Sequence, residues 1–315
     1  MRISIVIVNW NVCEYLRKCL CSIYEFTQGL EFEVLVVDNN SSDASREMVR
    51  TEFPRVDLIL SPENIGFARA NNLALGKCRG EYAVILNPDT ELFSNVFKEM
   101  FLFMQANPDI SVLAPQLLYG DGTLQRSCRN FPDVLTDFWE SLYLNEAFPK
   151  SRVFNRYLMG EWEHNQERDV EQPYGACLFI RMSALEKSGL FDGNFFMYYD
   201  EVDLCFRIKK DGGRIHYLPR IKVIHHSNKS SLQAPLECEC YKAKSRLLFF
   251  RKTYGNSAVL LLYLNLCLRT FLVWVVFFLS HIFCGRPRDR EYFKAPVRVL
   301  WSQYADFLRL KAGSK

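Results

Sequence analysis

Residues 83–92 read AVILNPDTEL, a short apolar run that stops abruptly at Asn87-Pro88-Asp89. The run predicts a buried β-strand, and Pro88 ends it because proline has no backbone N–H to donate to a neighbouring strand. An acidic side chain, Asp89, therefore stands just past the end of a strand. Such an aspartate either caps the next helix or holds something charged, such as a metal ion.

Residues 1–90 alternate between strand and helix patterns. Short apolar runs predict four buried strands, at 3–8, 33–37, 57–60 and 82–86. Helical spacing predicts helices over 14–26, from a cap at Ser42-Asp43 to 53, and over 67–77. Strands that are apolar along their whole length and alternate with helices are typical of a mainly parallel sheet covered on both faces. We therefore predict an α/β fold.

Polar side chains follow three of these strands: Asn9, Asp38 and Asp89. In open α/β sheets, ligands bind outside the carboxyl ends of the strands. A single aspartate after a strand is more often a cap, but several on one edge favour a ligand site. We expect these three side chains to lie along one edge of the sheet.

The chain beyond residue 100 is less regular. Residues 174–181 resemble another buried strand, and 183–189 a short helix ended by its glycine. Residues 120–172 contain turns and mixed aromatic and charged stretches without clear periodicity.

Three carboxylates crowd the first turn of a predicted helix in the stretch FDGNFFMYYDEVDLCFRIKKDGG, residues 191–213. Asp200, Glu201 and Asp203 suit a helix N-terminus, where each contributes about 0.3–1 kcal/mol. They also repel one another, and packing against the preceding aromatic residues would raise the pKa of at least one, as suits a general base. A helix cap and a catalytic role both stay open on this stretch alone.

Two adjacent histidines follow the apolar run at 221–224. In a strand, His225 and His226 point to opposite faces, so only one of them can face an acidic site. A neutral imidazole there could join a carboxylate on a metal ion.

Composition excludes several classes of protein. A net charge of +3 is too small to argue for a nucleic-acid partner. No glycine-rich dinucleotide motif follows the first strand and no P-loop motif occurs, which excludes Rossmann oxidoreductases and P-loop kinases. The eleven cysteines are predicted to be reduced thiols used as small apolar residues. The first apolar run is too short for a signal peptide, so we expect the start of the chain in the cytoplasm.

Residues 258–284 are the most apolar part of the chain, although Asn265 and Arg269 lie within them. A central arginine costs about 2.5–3.5 kcal/mol in a spanning helix. Both flanks are basic, so a single span would place one basic flank outside, against the positive-inside trend. We therefore favour a monotopic or re-entrant anchor at an anionic cytoplasmic leaflet over one span or a soluble helix. The flanking residues are Lys242, Lys244, Arg246, Arg251 and Lys252 before, and Arg286, Arg288, Arg290 and Lys294 after.

Seven stretches, in this order, resemble the inverting family 2 glycosyltransferases of the GT-A fold, in their bacterial rhamnosyltransferase-like branch. They cover about residues 3–250 and are specific only jointly. The stretches are SIVIVNWN (4–11), VLVVDNNSSD (34–43), NIGFARANN (64–72), ILNPDTEL (85–92), YGACLFIR (174–181), FFMYYDEVDLCFR (195–207) and IHHSNKSS (224–231).

The resemblance implies a GT-A α/β fold with a mainly parallel sheet flanked by helices, and the apolar run at 258–284 adds a C-terminal hydrophobic, membrane-associated helical segment. It also implies a metal role for Asp89, because Asn87-Pro88-Asp89 stands where the family often has Asp-x-Asp. Asp89 would hold Mg²⁺ or Mn²⁺ against the diphosphate of a sugar nucleotide. Asn87 weakens an acidic clamp and leaves room for His225 as a further ligand.

The resemblance assigns further residues to the nucleotide sugar. Asp38 matches the aspartate that contacts the nucleoside base, with Asn9 close by in the same pocket. A third group matches the segment beneath the nucleotide, where a glycine allows close backbone approach and a helix N-terminus suits phosphate. That group is Asn64, Gly66 and Arg69.

At the catalytic base this chain departs from the family, which generally reads Glu-Asp-x-Asp with the second acid as base. Here the order is Asp200-Glu201-Val202-Asp203. By position Glu201 inherits the role, and Asp200 is the alternative. Asp203 completes the acidic set.

The implied organisation is a catalytic domain over 1–230, a connecting basic helix over 231–256 and a hydrophobic, basic tail over 257–315. Within the catalytic domain, 1–95 form the nucleotide-binding half and 96–230 the acceptor half. The implied donor is a nucleotide sugar, with dTDP-rhamnose favoured, and the acceptor a glycan or lipid-linked glycan of cell-surface polysaccharide synthesis. A catalytically inactive sugar-nucleotide-binding or membrane scaffold protein is the alternative.

Overall fold

The computed structural model describes residues 2–227, 233 and 235–284, with side chains as far as residue 275 apart from the gaps. By its internal contacts the chain divides into two compact units. The first unit combines Met1–Phe131 with Trp162–Ala234, and the second combines Pro132–Glu161 with Pro235–Lys315. This grouping moves 132–161 out of the predicted catalytic domain; the functional boundaries at 230 and 256 stay predictions.

The strands all belong to the first unit. In chain order they are β1 Ile3–Asn9, β2 Phe32–Asp38, β3 Asp57–Leu60, β4 Tyr82–Leu86, β5 Thr90–Glu91, β6 Ile110–Leu118, β7 Leu124–Gln125, β8 Cys128–Arg129, β9 Arg168–Asp169, β10 Gln172–Pro173, β11 Cys177–Arg181 and β12 Arg214–His225. The helices are α1 Cys13–Phe26, α2 Ser45–Glu52, α3 Phe67–Leu75, α4 Val96–Ala106, α5 Val134–Ser141, α6 Leu144–Ala147, α7 Met182–Ser188, α8 Asp200–Lys210, α9 Pro235–Tyr254 and α10 Asn256–Cys284.

One mixed sheet, in the order β3-β2-β1-β4-β11-β6-β12-β5, organises the first unit. Strand β1 runs parallel to both β2 and β4, and β2 runs parallel to β3. The single long reversal is β11, which is antiparallel to β4 and β6, while β12 runs parallel to β6. The predicted α/β fold with a mainly parallel sheet is confirmed, and the four early strands lie within one residue of their predicted bounds.

The core explains why these strands are apolar along their whole length. Every residue of β1 is buried, because helices cover both faces of the sheet centre. On one face Ile3, Ile5 and Ile7 belong to the same apolar cluster as Leu16 and Leu20 of α1. The ten cysteines with described side chains are free thiols, and two of them, Cys21 and Cys267, are exposed rather than packed as small apolar residues.

In its described residues, the second unit contains helices α5, α6, α9 and α10. Helix α5 begins with a capping box, in which the Asp133 carboxylate accepts the Thr136 N–H at 2.7 Å and the Thr136 hydroxyl accepts the Asp133 N–H at 3.0 Å. Helix α10 packs against α5 and α9. Within the described residues, Asn256–Val275 is long and apolar enough to cross a membrane by length and composition alone. The predicted basic flank at 286–294 and the rest of the tail lie outside the described residues.

Candidate active site

The carboxyl ends of β1, β2 and β4 form one edge of the sheet, as predicted. Asn9 and Asp38 are the last residues of β1 and β2 and face each other in register. The Asn9 amide donates to Ser41 Oγ at 3.1 Å and lies 3.4 Å from Asp38 Oδ2. Its own Oδ1 is buried and has no hydrogen-bond partner among the described residues. An unpaired buried acceptor is costly, so its presence here favours a site that a ligand completes.

The carboxylate of Asp38 is tied to the loop and helix that follow it. Its Oδ1 accepts the Ser41 N–H at 3.0 Å and Arg46 Nε at 2.6 Å. Arg46 also donates to Asn40 Oδ1 at 3.1 Å. Sequence reasoning missed Arg46, whose place in the first turn of α2 is the only local signal that it could reach back to the strand end.

A second loop reaches the same edge through Asn64 and Gly66. Asn64 Oδ1 accepts both the Asn39 amide at 2.9 Å and the Gly66 N–H at 3.1 Å. Gly66 has a φ of +82°, and a Cβ on it would lie 2.4 Å from the carbonyl oxygen of Phe196. Only glycine allows so close an approach. The Phe67 N–H also donates to the Phe196 carbonyl oxygen, at 2.7 Å.

Arg69 brings a permanent positive charge to a cleft beside this loop. Its Nε donates to the Gly193 carbonyl at 2.8 Å, so the guanidinium is held between α3 and the segment before α8. The cleft is lined by Glu63, Asn64, Ile65, Arg69, Gly193, Asn194 and Phe196. A fixed guanidinium in an open cleft suits an anionic group such as phosphate.

Asp89 and His225 meet at the end of the sheet, and both are buried. His225 Nδ1 lies 2.7 Å from Gln125 Oε1, and an amide oxygen can only accept, so Nδ1 carries the proton. In the neutral form of the ring the other nitrogen, Nε2, then holds the lone pair, and it lies 3.4 Å from Asp89 Oδ1. The Asn87 amide also lies 3.4 Å from Nε2. A carboxylate facing an unprotonated imidazole nitrogen is a donor set suited to a cation.

His226 takes the opposite direction, as predicted from the strand. Its Nε2 contacts Glu91 Oε1 at 2.8 Å, and its backbone N–H donates to the Asp89 carbonyl at 2.9 Å. Only His225 thus faces the predicted metal site. His226 instead stabilises the turn at Asp89 through its backbone hydrogen bond.

The donor set fits a metal ion that is shared with a substrate. Among the described residues, no group of three or more histidine, cysteine or acidic side chains could hold a metal. Asp89 and His225 could supply two ligands, and Mg²⁺ is commonly bound by one or two carboxylates together with substrate phosphates.

The acids of α8 are held by a strained turn. Tyr198 and Tyr199 have φ of 65° and 61°, in the left-handed region that costs a non-glycine residue of order 1–3 kcal/mol. This turn buries Asp200, whose Oδ2 has no hydrogen-bond partner among the described residues. Burial, together with the charge of Glu201, raises the pKa of Asp200 well above its usual range.

Glu201 keeps part of its side chain accessible. Burial raises its pKa, while the positive charge of Arg129 opposes that rise. A Cβ on Gly175 would lie 3.5 Å from Glu201 Cβ, in ordinary contact. The next residue, Ala176, accepts the Asn87 N–H at 2.9 Å. One turn therefore connects Glu201 with the strand end that carries Asp89.

The family model described as "Glycosyl transferase family 2" matches residues 4–187. This chain belongs to glycosyl transferase family 2. It is 26% identical over 265 residues to N-acetylglucosaminyl-diphospho-decaprenol L-rhamnosyltransferase of Mycobacterium tuberculosis (strain ATCC 25618 / H37Rv), covering 81% of this chain and 85% of that protein. It is 25% identical over 244 residues to rhamnosyltransferase WbbL of Escherichia coli (strain K12), covering 72% and 86%.

Solved structures support the fold. The mannosyltransferase PcManGT from Pyrobaculum calidifontis, in complex with GDP-Man and Mn²⁺, superposes with a TM-score of 0.60 at 17% identity, covering 98% of this chain and 87% of that one. GalNAc-T7 with UDP, GalNAc and Mn²⁺ gives a TM-score of 0.53 at 15% identity, covering 71% and 44%. The resemblance to rhamnosyltransferase-like family 2 enzymes, the GT-A fold and the assignment as a glycosyltransferase are confirmed.

In this family 2 enzyme the three predicted acids occupy different environments. Asp203 Oδ2 accepts Arg207 Nε at 2.8 Å, and Arg207 also donates to the carbonyls of Gly189 at 3.1 Å and Leu190 at 2.8 Å. These bonds favour a structural role for Asp203, which anchors α8 to the preceding loop. The accessible acid is Glu201.

Sequence reasoning missed Gln125, Arg129 and Tyr174 at this site. Arg129 donates to the Tyr174 hydroxyl, and its guanidinium lies 5.1 Å from the centre of that ring. Arg129 and Gln125 belong to the stretch without periodicity and lie on two-residue strands: β8 pairs with the distant β10, and β7 pairs with the preceding strand β6. Tyr174 begins the motif YGACLFIR, which was the one available signal.

Proposed function

We propose that this enzyme transfers a sugar, with dTDP-rhamnose favoured as donor, to a hydroxyl of a glycan or lipid-linked glycan in cell-surface polysaccharide synthesis. Transfer would proceed with inversion and with a divalent metal. One observation carries the proposal: a pair of side chains suited to a cation, Asp89 and His225, is connected through the turn at Gly175 to a partly accessible carboxylate, Glu201.

The donor would occupy the sheet edge. The unpaired Asn9 oxygen and Asp38 support a site for the base, and Asn64 and Gly66 support close backbone approach beneath the nucleotide. Arg69 would supply positive charge toward the diphosphate. The relatives named as rhamnosyltransferases support rhamnose as the sugar.

Mg²⁺ or Mn²⁺ would be held by Asp89 and His225, with Asn87 beside them. When bound, the ion would neutralise charge on the leaving diphosphate. The Mn²⁺ bound by PcManGT supports a divalent ion here, since that enzyme shares this fold.

Glu201 would act as the base. As the acceptor oxygen bonds to the anomeric carbon from the face opposite the donor, Glu201 would take the hydroxyl proton while the bond to the diphosphate oxygen breaks. The nucleoside diphosphate then leaves with its electron pair. A raised pKa suits this task, because the best base has a pKa near the working pH. Asp200 is the alternative base, although its burial favours a neutral partner to Glu201.

The acceptor would be met at the cytoplasmic face of the cell membrane, with the enzyme peripheral or monotopic. The apolar helix α10 supports a membrane surface as a partner, and the relative that acts on a diphospho-decaprenol substrate supports a lipid-linked acceptor.

The test compares Glu201→Gln with Asp200→Asn in purified enzyme. We expect Glu201→Gln to lower turnover of dTDP-rhamnose by at least about 10²-fold, the usual loss for a general base, with donor affinity nearly unchanged. Asp200→Asn should retain more turnover than Glu201→Gln. The reverse order would assign the base to Asp200. Wild-type turnover that persists in excess EDTA would exclude the metal, and turnover only with another nucleotide sugar would reassign the donor.

A further inference from the structure

Helix α10 presents a continuous apolar stripe to its surroundings. Leu260, Leu264, Phe271 and Trp274 are between 55% and 63% exposed, and their spacing of four, seven and three residues puts them on one face. The exposed Cys267 lies between them on the same face. We call these five residues the apolar stripe.

The opposite face of α10 carries Asn265 and Arg269, and it is covered by protein at Asn265 while Arg269 stays exposed. The Asn265 side chain is buried, and its amide donates to Asp137 Oδ2 of α5 at 2.9 Å. Arg269, one turn later, lies 5.2 Å over the ring of Tyr143. Asp137 also pairs with Arg246 of α9. A polar side chain of α10, Asn265, thus faces the unit interior while large apolar side chains face outward, which is the reverse of the pattern in a water-soluble helix.

The helix that packs on α10 argues against a bilayer crossing by residues 256–275. Helix α9, which packs on α10, carries seven charged side chains. Charged groups of this number are expensive in hydrocarbon, so α9 and the side of α10 beneath it must stay near water. Only the apolar stripe is left to enter an apolar phase.

We infer that the apolar stripe docks the second unit on the surface of an anionic phospholipid bilayer, with α10 lying in the interface plane. The segment 132–161 completes this module, because Asp137 and Tyr143 partner the polar residues of α10. Interfacial helices combine an apolar face with basic side chains and a tryptophan at headgroup level. Trp274 stands on the stripe, and besides Arg246, which pairs with Asp137, α9 supplies four basic side chains against two acidic ones: Lys242, Lys244, Arg251 and Lys252 against Glu237 and Glu239.

This inference rests on the proposed function only in that a lipid-linked acceptor requires a membrane. The docking itself needs neither donor nor acceptor, so it can be tested without any transfer assay. A failed transfer assay with intact vesicle binding would therefore overturn the donor or acceptor and leave the docking surface standing.

The experiment measures co-sedimentation of the full chain with vesicles of phosphatidylcholine containing phosphatidylglycerol. We expect the double variant Leu260→Ser/Leu264→Ser to lose at least tenfold in vesicle partitioning. The matched control is Leu73→Ser/Leu102→Ser, two leucines of the first unit that are 45% and 55% exposed. The control should bind like the wild type. Equal binding by the stripe variant and the wild type, or no wild-type binding, would overturn the proposal.

Two further measurements separate the bilayer from other occupants and orientations. The fluorescence of Trp274 is obtained as the difference between the wild type and Trp274→Phe. It should be quenched by lipids whose bromine atoms lie near the headgroup. Quenching only by bromine at the bilayer centre would overturn the in-plane orientation. Light scattering without lipid should give the same mass for wild type and the stripe variant; a dimer abolished by Leu260→Ser/Leu264→Ser would identify a second copy as the occupant instead.

Discussion

Gln125 determines which nitrogen of His225 carries a proton, although the two residues are 100 positions apart in the chain. Its oxygen accepts from Nδ1 and so leaves Nε2 to face Asp89. Outer partners of this kind orient a metal-binding imidazole and raise its basicity. At the scale of single residues, the candidate metal site therefore depends on a side chain that binds no metal.

Replacing Gln125 should weaken metal-dependent binding of the donor. In Gln125→Leu the His225 ring loses its fixed tautomer, and we expect the affinity of Mn²⁺ in the presence of dTDP to fall about 10–100-fold. Isothermal titration would measure it. Gln116→Leu is the control, because Gln116 also bonds within the unit, to Tyr217 and the His164 carbonyl, but does not contact His225. Equal affinities in the two variants would remove Gln125 from the metal site.

The buried carboxyl of Asp200 should reduce stability at neutral pH. Because the pKa of Asp200 is raised in the folded state, the folded protein retains a proton that the unfolded chain has lost. Stability is therefore lost as the pH rises above the usual carboxyl value of about 3.9, until the raised folded pKa is passed.

Asp200→Asn removes this titration. We expect it to raise the free energy of unfolding relative to wild type at pH 7, with a difference that shrinks as the pH falls toward about 4. Urea unfolding at several pH values would measure the difference. A constant difference across this pH range would show that Asp200 does not titrate as described.

At the scale of elements, loops rather than strands bring the residues at the sheet edge and the acids of α8 together. The loop before α3 meets the segment before α8 where Gly66 approaches the Phe196 carbonyl. The turn at Gly175 and Ala176 similarly connects α8 with the end of β4. The strained pair Tyr198 and Tyr199 aims the acids of α8 at this junction. Each contact requires a particular backbone conformation.

Gly66 and Gly122 form a matched pair that separates a steric clash from backbone strain. Both have a φ of +82°, but a Cβ on Gly122 would meet nothing within 4 Å. Gly122→Ala should therefore cost only the left-handed conformation, of order 1–3 kcal/mol. Gly66→Ala should cost more in urea unfolding and should also weaken donor binding. Equal losses of stability in the two variants would show that the Phe196 carbonyl can move away from a Cβ at position 66 without a cost in free energy.

At the scale of the whole molecule, the second unit has an interior of its own. Asp137 is its buried centre and pairs with both Arg246 and Asn265. Burial and the nearby charge of Arg269 lower the pKa of Arg246 to about 10. The pairing with Asp137 keeps this arginine charged and satisfied inside the helical unit.

Asp137→Leu should destabilise the second unit by about 1–3 kcal/mol, because it leaves buried polar groups without their partner. Hydrogen exchange should show faster exchange in α5, α9 and α10, with the sheet of the first unit unchanged. Asp137→Leu/Arg246→Met should recover part of the protection, since it removes both charges. Uniformly faster exchange across both units would show that they unfold as one.

The sequence by itself determined the early strands and helices, the polar residues at the strand ends and the family, because local periodicity and contiguous motifs record these. It predicted Asp89 and His225 as neighbours only through the family resemblance. The partners Gln125, Arg46 and Arg129 came from the tertiary structure alone. Gln125 and Arg129 lie in short strands without any period of their own, and they act on His225 and Tyr174, which are distant in the chain, whereas Arg46 reaches back to the nearby Asp38.

The C-terminal segment shows the same division. From the sequence, Asn265 and Arg269 were obstacles to burial in lipid, since each must find a polar partner. Only the tertiary structure supplied those partners, Asp137 and Tyr143, from a segment more than a hundred residues earlier. Polar pairing is a long-range, geometric property, whereas the apolar stripe follows from helical spacing alone. The sequence therefore determined the apolar character of α10, and the fold decided which face of that helix is left uncovered.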